Sequence, residues 1–352
     1  MSTTFHTLRV AAIDELTDDS VALTFEVPPS LASEFAWTPG QHLNIRGGDD
    51  VRRSYSICTA PSSGRLRIGV KRLPGGAFST GVLSALSVGD SLDVMTPAGR
   101  FTTAVSATAA RHCVAVAAGS GITPILSIVT AILEGEPSSV VTLVYANRTH
   151  RSVMFLDEVH DLKDRFPARL QILHVLSRES SDVELLSGRL DGERLSRLVA
   201  AFGLGHASDW FLCGPQQMLG SLRSALSDLG VPAERVHSEL FHADPVPRAP
   251  VAALASGADG AAHVTIRLGG RSSELDLRPD DVPVLEAALR VRSDLPFACK
   301  GGVCGTCRAR LVSGTVAMDA IYALEPDEVS NGYVLTCQSH PTSDEVVLDY
   351  DG

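Results

Sequence analysis

The sequence contains no apolar run long enough to cross a membrane, which takes about 20 residues. Its longest apolar stretch, Val114–Ala118 followed by Ile122–Leu133, is interrupted by Gly119, Gly121 and Pro124. The N-terminal segment MSTTFHTLRV also lacks the charged region followed by an apolar one that is typical of a secretion signal. These two absences predict a cytoplasmic protein.

An excess of positive charge is also missing, because 30 Lys and Arg residues stand against 41 Asp and Glu, a formal net charge of −11. Such a chain is not expected to bind nucleic acid or an anionic membrane, whose phosphates attract basic surfaces. Residues 262–352 hold 14 acidic and 8 basic side chains and so contribute −6. This acidic segment indicates either docking to a partner of complementary charge, steered over about a Debye length, or solubility alone.

The cysteines are few and odd in number, seven in 352 residues. Cys58, Cys113 and Cys213 are scattered through apolar or motif segments, so the sequence does not predict a disulfide framework. A lone cysteine in such surroundings is usually a buried structural thiol, which is one interpretation of Cys213.

The spacing of the remaining cysteines predicts an iron–sulfur cluster. They follow the plant-type pattern in which four thiolates hold a [2Fe–2S] core, namely Cys299, Cys304, Cys307 and Cys337. A zinc site would more often show two C-x-x-C elements, and only one is present here. Three glycines inside the loop let the backbone wrap around an inorganic core and leave N–H groups free to bond its sulfurs.

Three regions of different pattern predict three domains in this 352-residue chain. Residues 1–105 hold short alternating apolar runs between Gly and Pro turns, which is typical of a small antiparallel β-barrel. In residues 106–241 strands alternate with helices, which favours a parallel sheet with crossover helices. Residues 242–261, rich in Ala, Pro and Gly, are predicted to be a linker before a third domain over 262–352.

The individual elements follow from periodicity and turn residues. The predicted barrel strands are Leu8–Ile13, Val21–Val27, His42–Ile45, Ser54–Ile57 and Leu66–Lys71. The predicted elements of the second domain are strands at His112–Ala117, Val140–Tyr145 and Leu170–Leu176, helices at Ile125–Glu134 and near Phe155–Leu162, and a strand–turn–helix unit over Asp209–Leu229.

Two segments of the barrel predict a flavin site. A flavin needs an aromatic face, a hydrogen-bond donor near N5 and a cation for its pyrophosphate. Tyr55, Ser56 and Arg53 can supply these in that order, because alternation puts Arg53 and Tyr55 on one strand face. In Lys71–Thr80 a Gly-Gly turn leads into a helix whose positive end suits a phosphate. A plain turn with a Ser or Thr N-cap is the alternative for that segment.

A nucleotide site is predicted at the turn A-A-G-S-G-I-T-P, residues 117–124. It lacks the third glycine of the G-x-G-x-x-G fingerprint, yet a pyrophosphate can still approach the helix N-terminus closely. A tight strand–helix turn is the alternative. The next strand ends in Y-A-N-R-T-H-R-S, without the acidic residue usual for NAD. Arg148, Arg151 and Ser152 therefore favour the 2′-phosphate of NADPH, with solvated surface arginines as the alternative.

The order of these segments resembles the ferredoxin–NADP reductase superfamily: R-x-Y-S, G-G-x-x-S, G-S-G-I-T-P and C-G-P. Over essentially its full length the chain is similar to members with a C-terminal plant-type ferredoxin domain, as found in many oxygenase reductases. The stretches TTFHTLRV, SGRLDGERL, FACKGGVCGTCRARLVSGTVAMD and YALEPDEVSNGYVLTCQSHP look like the reductase subunits of bacterial phenylacetyl-CoA epoxidases. Ketosteroid hydroxylase reductases match these stretches less well.

The resemblance implies a multidomain α/β and β fold, with an antiparallel β-barrel for FAD, a parallel-sheet α/β domain for NAD(P) and a β-grasp-like [2Fe–2S] domain. The implied FAD contacts are Arg53, Tyr55 and Ser56, with Val70, Lys71, Gly76, Phe78 and Ser79 around the ribityl and phosphate groups. The implied NADPH contacts are Gly119, Gly121, Arg148, Ser152, Cys213, Gly214, Pro215 and Met218. Thr123 would approach the stacked flavin and nicotinamide. Glu239 and Phe241, in S-E-L-F, would close over the flavin ring, although E-x-F could equally cap a terminal strand.

The implied activity is electron transfer from NADPH, or NADH, through FAD and the cluster. Ser56, Cys213 and Glu239 are the implied catalytic residues. The implied partners are the di-iron oxygenase subunits of a multicomponent epoxidase that acts on an aromatic acyl-CoA in phenylacetate degradation. Two alternatives stay open: the reductase of a ketosteroid or aromatic-ring hydroxylating oxygenase, and an electron-carrier module whose front domains bind nucleotide without turnover.

Overall fold

The computed structural model describes residues 4–48, 50–242, 261–278 and 282–352. The described residues up to His242 form one compact unit, and those from residue 261 onward form a second. Residues 243–260, most of the predicted linker, lie outside the described residues. Within the described ranges, no helix is long and apolar enough to span a membrane.

The first unit begins with an antiparallel barrel. Its strands are β1 (Phe5–Thr17), β2 (Ser20–Glu26), β3 (His42–Gly47), β4 (Val51–Ser56), β5 (Leu66–Lys71) and β6 (Ser91–Met95). They are ordered β4-β3-β6-β1-β2-β5. The edge strands meet through a bridge between Ile57 and Ile68, and the Cys58 N–H donates to the Arg67 carbonyl over 2.9 Å. The predicted barrel is therefore confirmed. Between β5 and β6 lie a π-helical turn, Ala77–Val82, and α1 (Leu83–Ala85).

A parallel sheet with flanking helices completes the first unit. Its elements are β7 (His112–Ala118), α2 (Ile122–Gly135), β8 (Val140–Asn147), α3 (Leu156–Arg165), β9 (Leu170–Leu176), α4 (Gly192–Phe202), β10 (Asp209–Pro215), α5 (Gln216–Asp228) and β11 (Val236–His242). The strand order is β11-β10-β7-β8-β9, with every neighbouring pair parallel. This confirms the predicted α/β domain, in which the carboxyl ends of the strands share one edge. Neither α4 nor β6 is among the elements predicted from the sequence.

The barrel and the parallel sheet pack directly on each other. A Cβ added to Gly69 of β5 would lie 2.7 Å from Thr123 Cγ2 and 2.9 Å from the Phe155 ring, so only glycine fits there. On the neighbouring strand β2, Ala22 belongs to the apolar core beneath the parallel sheet, whereas Leu23 points into the barrel core. This close packing aligns the barrel with the carboxyl edge of the sheet.

The second unit is a mixed sheet with short helices. Its elements are β12 (Ala262–Leu268), β13 (Arg271–Leu277), α6 (Val284–Ala288), β14 (Arg308–Ser313), β15 (Val316–Met318), α7 (Pro326–Ser330), β16 (Tyr333–Leu335), β17 (Ser339–Pro341) and β18 (Glu345–Asp349). Five strands follow the order β13-β12-β18-β14-β16, with β12 and β18 parallel, and β15 pairs with β17. The first two cysteines of the cluster motif lie in the loop between α6 and β14, and the third, Cys307, lies immediately before that strand.

Candidate electron entry and exit sites

The three residues with implied catalytic roles lie together in the structure. Ser56, at the end of β4, donates a hydrogen bond from Oγ to Glu239 Oε2 over 3.2 Å. Parallel pairing of β10 with β11 places Cys213 opposite Glu239. Cys213 is fully buried, and burial together with the Glu239 carboxylate raises the pKa of its thiol well above the usual range. The thiol therefore stays protonated at physiological pH, while Phe241 packs half-buried against the same apolar core.

The aromatic and cationic residues of the barrel strand are placed as the alternation predicts. Tyr55 is half-buried, with its ring centroid 5.3 Å from that of Phe78. Burial raises the pKa of Tyr55 well above its usual range, partly offset by the Arg53 charge, so the phenol keeps its proton. Arg53 is exposed and donates from one guanidinium nitrogen to the Arg52 carbonyl over 2.7 Å. Contact of these side chains with a flavin stays a prediction.

The Gly-Gly segment is built around Ser79. The backbone N–H of Leu73 donates to Ser79 Oγ over 3.1 Å, and a Cβ on Gly76 would come within 2.3 Å of that oxygen. The helical turn that follows has no side-chain N-cap, so the Ser/Thr cap of the alternative interpretation is not formed. Val70 is buried, and Lys71 forms an ion pair with Asp19 at 3.2 Å. The N–H groups of Leu73, Gly76 and Thr80 already have partners within the segment, and its contact with a phosphate stays a prediction.

At the carboxyl edge of the parallel sheet, where the nucleotide is predicted to bind, glycines allow the turns after β7 and β10 to approach each other closely. A Cβ on Gly121 would lie 2.4 Å from the Cys213 carbonyl oxygen. A Cβ on Gly214, at the turn through Pro215 into α5, would lie 2.6 Å from Met218 Cε and 3.1 Å from Ala118 Cβ. The turn after β7 and the turn after β10 thus meet at the carboxyl edge.

Local hydrogen bonds hold the turn after β7. Gly119 has a φ of 52°, in the left-handed region that favours glycine. Its carbonyl accepts from the Tyr145 hydroxyl over 3.1 Å. Buried Thr123 donates to the Ser120 carbonyl over 3.0 Å. These bonds fix the turn before any ligand binds.

The residues predicted to bind a 2′-phosphate differ in their surroundings. Arg148 and Arg151 are exposed, whereas Ser152 already donates to the Thr149 carbonyl over 2.7 Å. The structure adds two residues that no motif in the sequence indicates. Arg178, at the end of β9, is tied by its backbone N–H to the Arg148 carbonyl over 2.8 Å, and the Glu179 carboxylate accepts from the His150 N–H over 3.0 Å. Arg178 and Glu179 lie beside the residues that follow β8 because β8 and β9 are neighbouring strands.

The four cysteines of the second unit form two thiol pairs. The Cys299 thiol lies beside that of Cys304, and the Cys307 thiol lies beside that of Cys337. The first pair is half-exposed and the second pair is buried. In the described part of the chain, no three His, Cys, Asp or Glu side chains are arranged to hold a single metal ion. Four thiols arranged as two neighbouring pairs suit a core with two irons.

Backbone donors surround these sulfurs. The Gly301 N–H lies 3.3 Å from Cys299 Sγ, and the Gly302 N–H bonds the sulfur of Cys337. The loop turns through left-handed conformations at Lys300, Gly302 and Gly305, with φ values of 54°, 74° and 67°. The donor set and the glycines thus fit a [2Fe–2S] cluster.

Comparison with known proteins assigns all three regions. Residues 7–103 match an oxidoreductase FAD-binding domain, residues 115–224 an oxidoreductase NAD-binding domain, and residues 266–342 a 2Fe-2S iron-sulfur cluster binding domain. The chain is 42% identical, over 99% of its length and 98% of the relative, to a subunit of 1,2-phenylacetyl-CoA epoxidase from Escherichia coli. It is 32% identical, over 97% and 96%, to the ferredoxin reductase component of 3-ketosteroid-9-alpha-monooxygenase from Rhodococcus rhodochrous.

The fold also matches a solved structure of similar length. Phthalate dioxygenase reductase superimposes with a TM-score of 0.62 at 24% identity, and the match covers 98% of each chain. Together with the full-length relatives, this shows that the chain is a flavin and iron–sulfur oxidoreductase, a member of the oxygenase reductase family to which the Escherichia coli epoxidase relative belongs.

Proposed function

We propose that this protein is the reductase component of a phenylacetyl-CoA epoxidase in phenylacetate degradation, delivering electrons from NADPH to di-iron oxygenase subunits. The observation that carries this proposal is the identity to the Escherichia coli epoxidase relative, 42% over 99% of the chain, against 32% over 97% for the ketosteroid monooxygenase reductase. The acidic second unit supports docking to an oxygenase face of complementary charge.

The experiment pairs the purified protein with two oxygenases in parallel. NADPH oxidation and product formation are measured with the oxygenase subunits of a phenylacetyl-CoA epoxidase and with those of a ketosteroid monooxygenase. We expect coupled product formation with the first set. Equal or better coupling with the second would support the alternative that the 32% relative suggests. A protein that fails to reduce cytochrome c with NADPH would instead be a carrier module without turnover.

Electron entry is assigned to the junction of the barrel and the parallel sheet. Bound FAD would supply the chemistry that accepts a hydride and releases electrons singly. Arg53, Tyr55 and the Gly76–Ser79 segment would hold it. Ser56 would lie beside the flavin edge, with its hydroxyl hydrogen directed to Glu239 through their 3.2 Å hydrogen bond. Protonated Cys213 would face the nicotinamide as a neutral group, which avoids a second negative charge beside Glu239.

NADPH preference is proposed from the cations at the ends of two neighbouring strands. Arg148 and Arg178 extend into solvent from adjacent turns that share a backbone hydrogen bond. Two guanidinium groups at this spot suit a phosphate ester better than a free ribose hydroxyl. The Glu179 carboxylate is the opposing feature, because it could instead accept from the ribose hydroxyls of NADH.

Organisation and location complete the proposal. The FAD-binding barrel is assigned to residues 1–105, the NAD(P) domain to 106–241, the linker to 242–261 and the cluster domain to 262–352. None of the seven cysteines, which all lie in the described ranges, forms a disulfide, which supports a reducing, cytoplasmic location.

A further inference from the structure

The residue after the fourth cysteine connects both parts of the cluster site. Gln338 Nε2 lies 3.0 Å from the Lys300 carbonyl oxygen and 2.9 Å from that of Cys337. The same nitrogen lies 3.5 Å from Cys337 Sγ. One side-chain amide thus connects the loop that begins at Cys299 with the ligand that arrives from a distant strand.

The carbonyl that Gln338 holds belongs to a constrained residue. Lys300 is one of three non-glycine residues with positive φ in the described ranges, and its 54° costs backbone energy. Its ammonium pairs with Glu286 at 2.7 Å and lies 4.8 Å from the Phe297 ring centroid. The amide bond fixes the main chain of Lys300 while these contacts fix its side chain.

The packing around Gln338 leaves little freedom for its side chain. A Cβ on Gly302 would lie 3.1 Å from Gln338 Cγ, so the glutamine stem rests directly on the ligand loop. The Gln338 carbonyl accepts from the Asp319 N–H over 2.9 Å, and its own N–H donates to the Leu335 carbonyl over 2.8 Å. The backbone hydrogen bonds of Gln338 and the packing of its stem on Gly302 therefore hold the side-chain amide nitrogen near the Cys337 sulfur.

We propose that Gln338 is a positioning residue that closes the ligand loop onto Cys337 and favours the reduced state of the cluster site. The inference rests on the proposed [2Fe–2S] assignment. Reduction adds one electron, supplied by the NAD(P)H-reduced flavin, to a site held by four thiolates, and no bond of Gln338 forms or breaks. The added negative charge is shared with the cysteine sulfurs, so the positive end of an amide dipole at Cys337 stabilises it.

Two substitutions at Gln338 separate the effect of the amide N–H group from the effect of side-chain volume. Gln338→Met keeps a stem of similar length on Gly302 but has no N–H group. Gln338→Glu keeps the shape and replaces the donor with a carboxylate that faces two carbonyls and a thiolate. Gln171→Met, at an exposed position of β9, is the matched control.

The test uses the full-length protein loaded with FAD and its cluster. Redox titration followed by visible absorbance and electron paramagnetic resonance gives the fraction of reduced cluster at a fixed potential, and absorbance decay with a chelator gives the rate of cluster loss. Because the positive end of the amide dipole beside Cys337 and the bond to the Lys300 carbonyl are both lost, we expect the reduced-to-oxidised ratio to fall about five- to tenfold in Gln338→Met and cluster loss to accelerate by a similar factor. Gln338→Glu should show larger changes in the same direction, and the control none.

The outcomes separate this inference from the function it rests on. An unchanged potential in Gln338→Met overturns the electrostatic role, even if cluster loss becomes faster. An unchanged rate of loss overturns the clamping role. A wild-type protein without a [2Fe–2S] spectrum after anaerobic purification would instead refute the cluster assignment itself.

Discussion

Ser56 and Glu239, which are 183 positions apart in the sequence, share a hydrogen bond of 3.2 Å that joins the barrel to the last strand of the parallel sheet. The bond joins the hydroxyl at the end of β4 to a carboxylate in the middle of β11. Because Cys213 lies opposite Glu239, this contact brings together the three residues to which we assign hydride transfer.

Substituting Ser56 should slow electron entry. Ser56→Ala removes the hydroxyl and its hydrogen bond to Glu239, and we expect kcat for NADPH-driven reduction of a two-electron dye to fall about tenfold or more. Ser54→Ala on the same strand is the control, because Ser54 donates only to Asn44, over 2.6 Å. Full activity of Ser56→Ala would remove this serine from the mechanism.

The cation pair at the strand ends should set nucleotide preference. Arg148→Ala removes a guanidinium that would bind the 2′-phosphate, so KM for NADPH should rise about tenfold while KM for NADH changes little. Steady-state kinetics with both nucleotides measure this, with Arg223→Ala on exposed α5 as the control. An equal effect on both nucleotides would contradict the assignment.

The carboxylate beside these arginines should act in the opposite sense. Glu179→Gln removes a negative charge from the turn where Glu179 accepts from the His150 N–H. The phosphate of NADPH would no longer be repelled, so KM for NADPH should fall and KM for NADH should rise. A lower KM for both nucleotides would show that the Glu179 charge does not act on the 2′ group of the ribose.

Removing a cluster ligand should separate electron entry from electron exit. Cys304→Ser replaces one thiolate of the half-exposed pair, and reduction of cytochrome c should be lost. Reduction of a two-electron dye by NADPH should persist in the same sample, which serves as its internal control. Loss of both activities would contradict the division of labour between the two units.

Acid should destabilise the nucleotide domain through His174. Burial first, and then the nearby charges of His160 and His150, lower the pKa of His174 to about 4. The folded state therefore binds fewer protons than the unfolded chain between that value and about 6.5. Stability falls as the pH drops through this window, by about 1–2 kcal/mol once solvent screening is allowed for.

The measurement is urea unfolding at several pH values, followed by fluorescence of buried Trp210 in β10. His174→Gln should flatten the dependence between pH 4 and 6.5, whereas His206→Gln at an exposed position should not. A profile that keeps its slope in His174→Gln would assign the effect to another group.

Local motifs carried most of the sequence prediction. The cluster cysteines and their glycines lie mainly in one short loop, so spacing alone identifies the chemistry. Strand β6 is harder to predict from the sequence. It is five residues long, and Leu92 and Val94 are its only alternating buried pair before buried Met95 ends it. Helix α4 is different: Asp191 caps its first turn and Gly203 ends it with a φ of 66°, so local residues do mark both of its boundaries.

Long-range contacts explain what the sequence could not predict. The contact of Ser56 with Glu239 depends on the docking of two separate sheets, which no local pattern encodes. Arg178 and Glu179 reach the nucleotide edge only because β9 pairs with β8. Gln338 stands beside an obvious ligand, yet its bond to Lys300 spans 38 positions.

The absence of a side chain at Gly69 has a consequence for unfolding. Thr123 and Phe155 fill the space beside that glycine, and Ala22 of the barrel belongs to the apolar core beneath the parallel sheet, so the barrel completes that core. Neither can lose its packing without exposing the other. In a calorimetric scan, barrel and parallel sheet should therefore melt in a single cooperative transition, although they match two separate domain families.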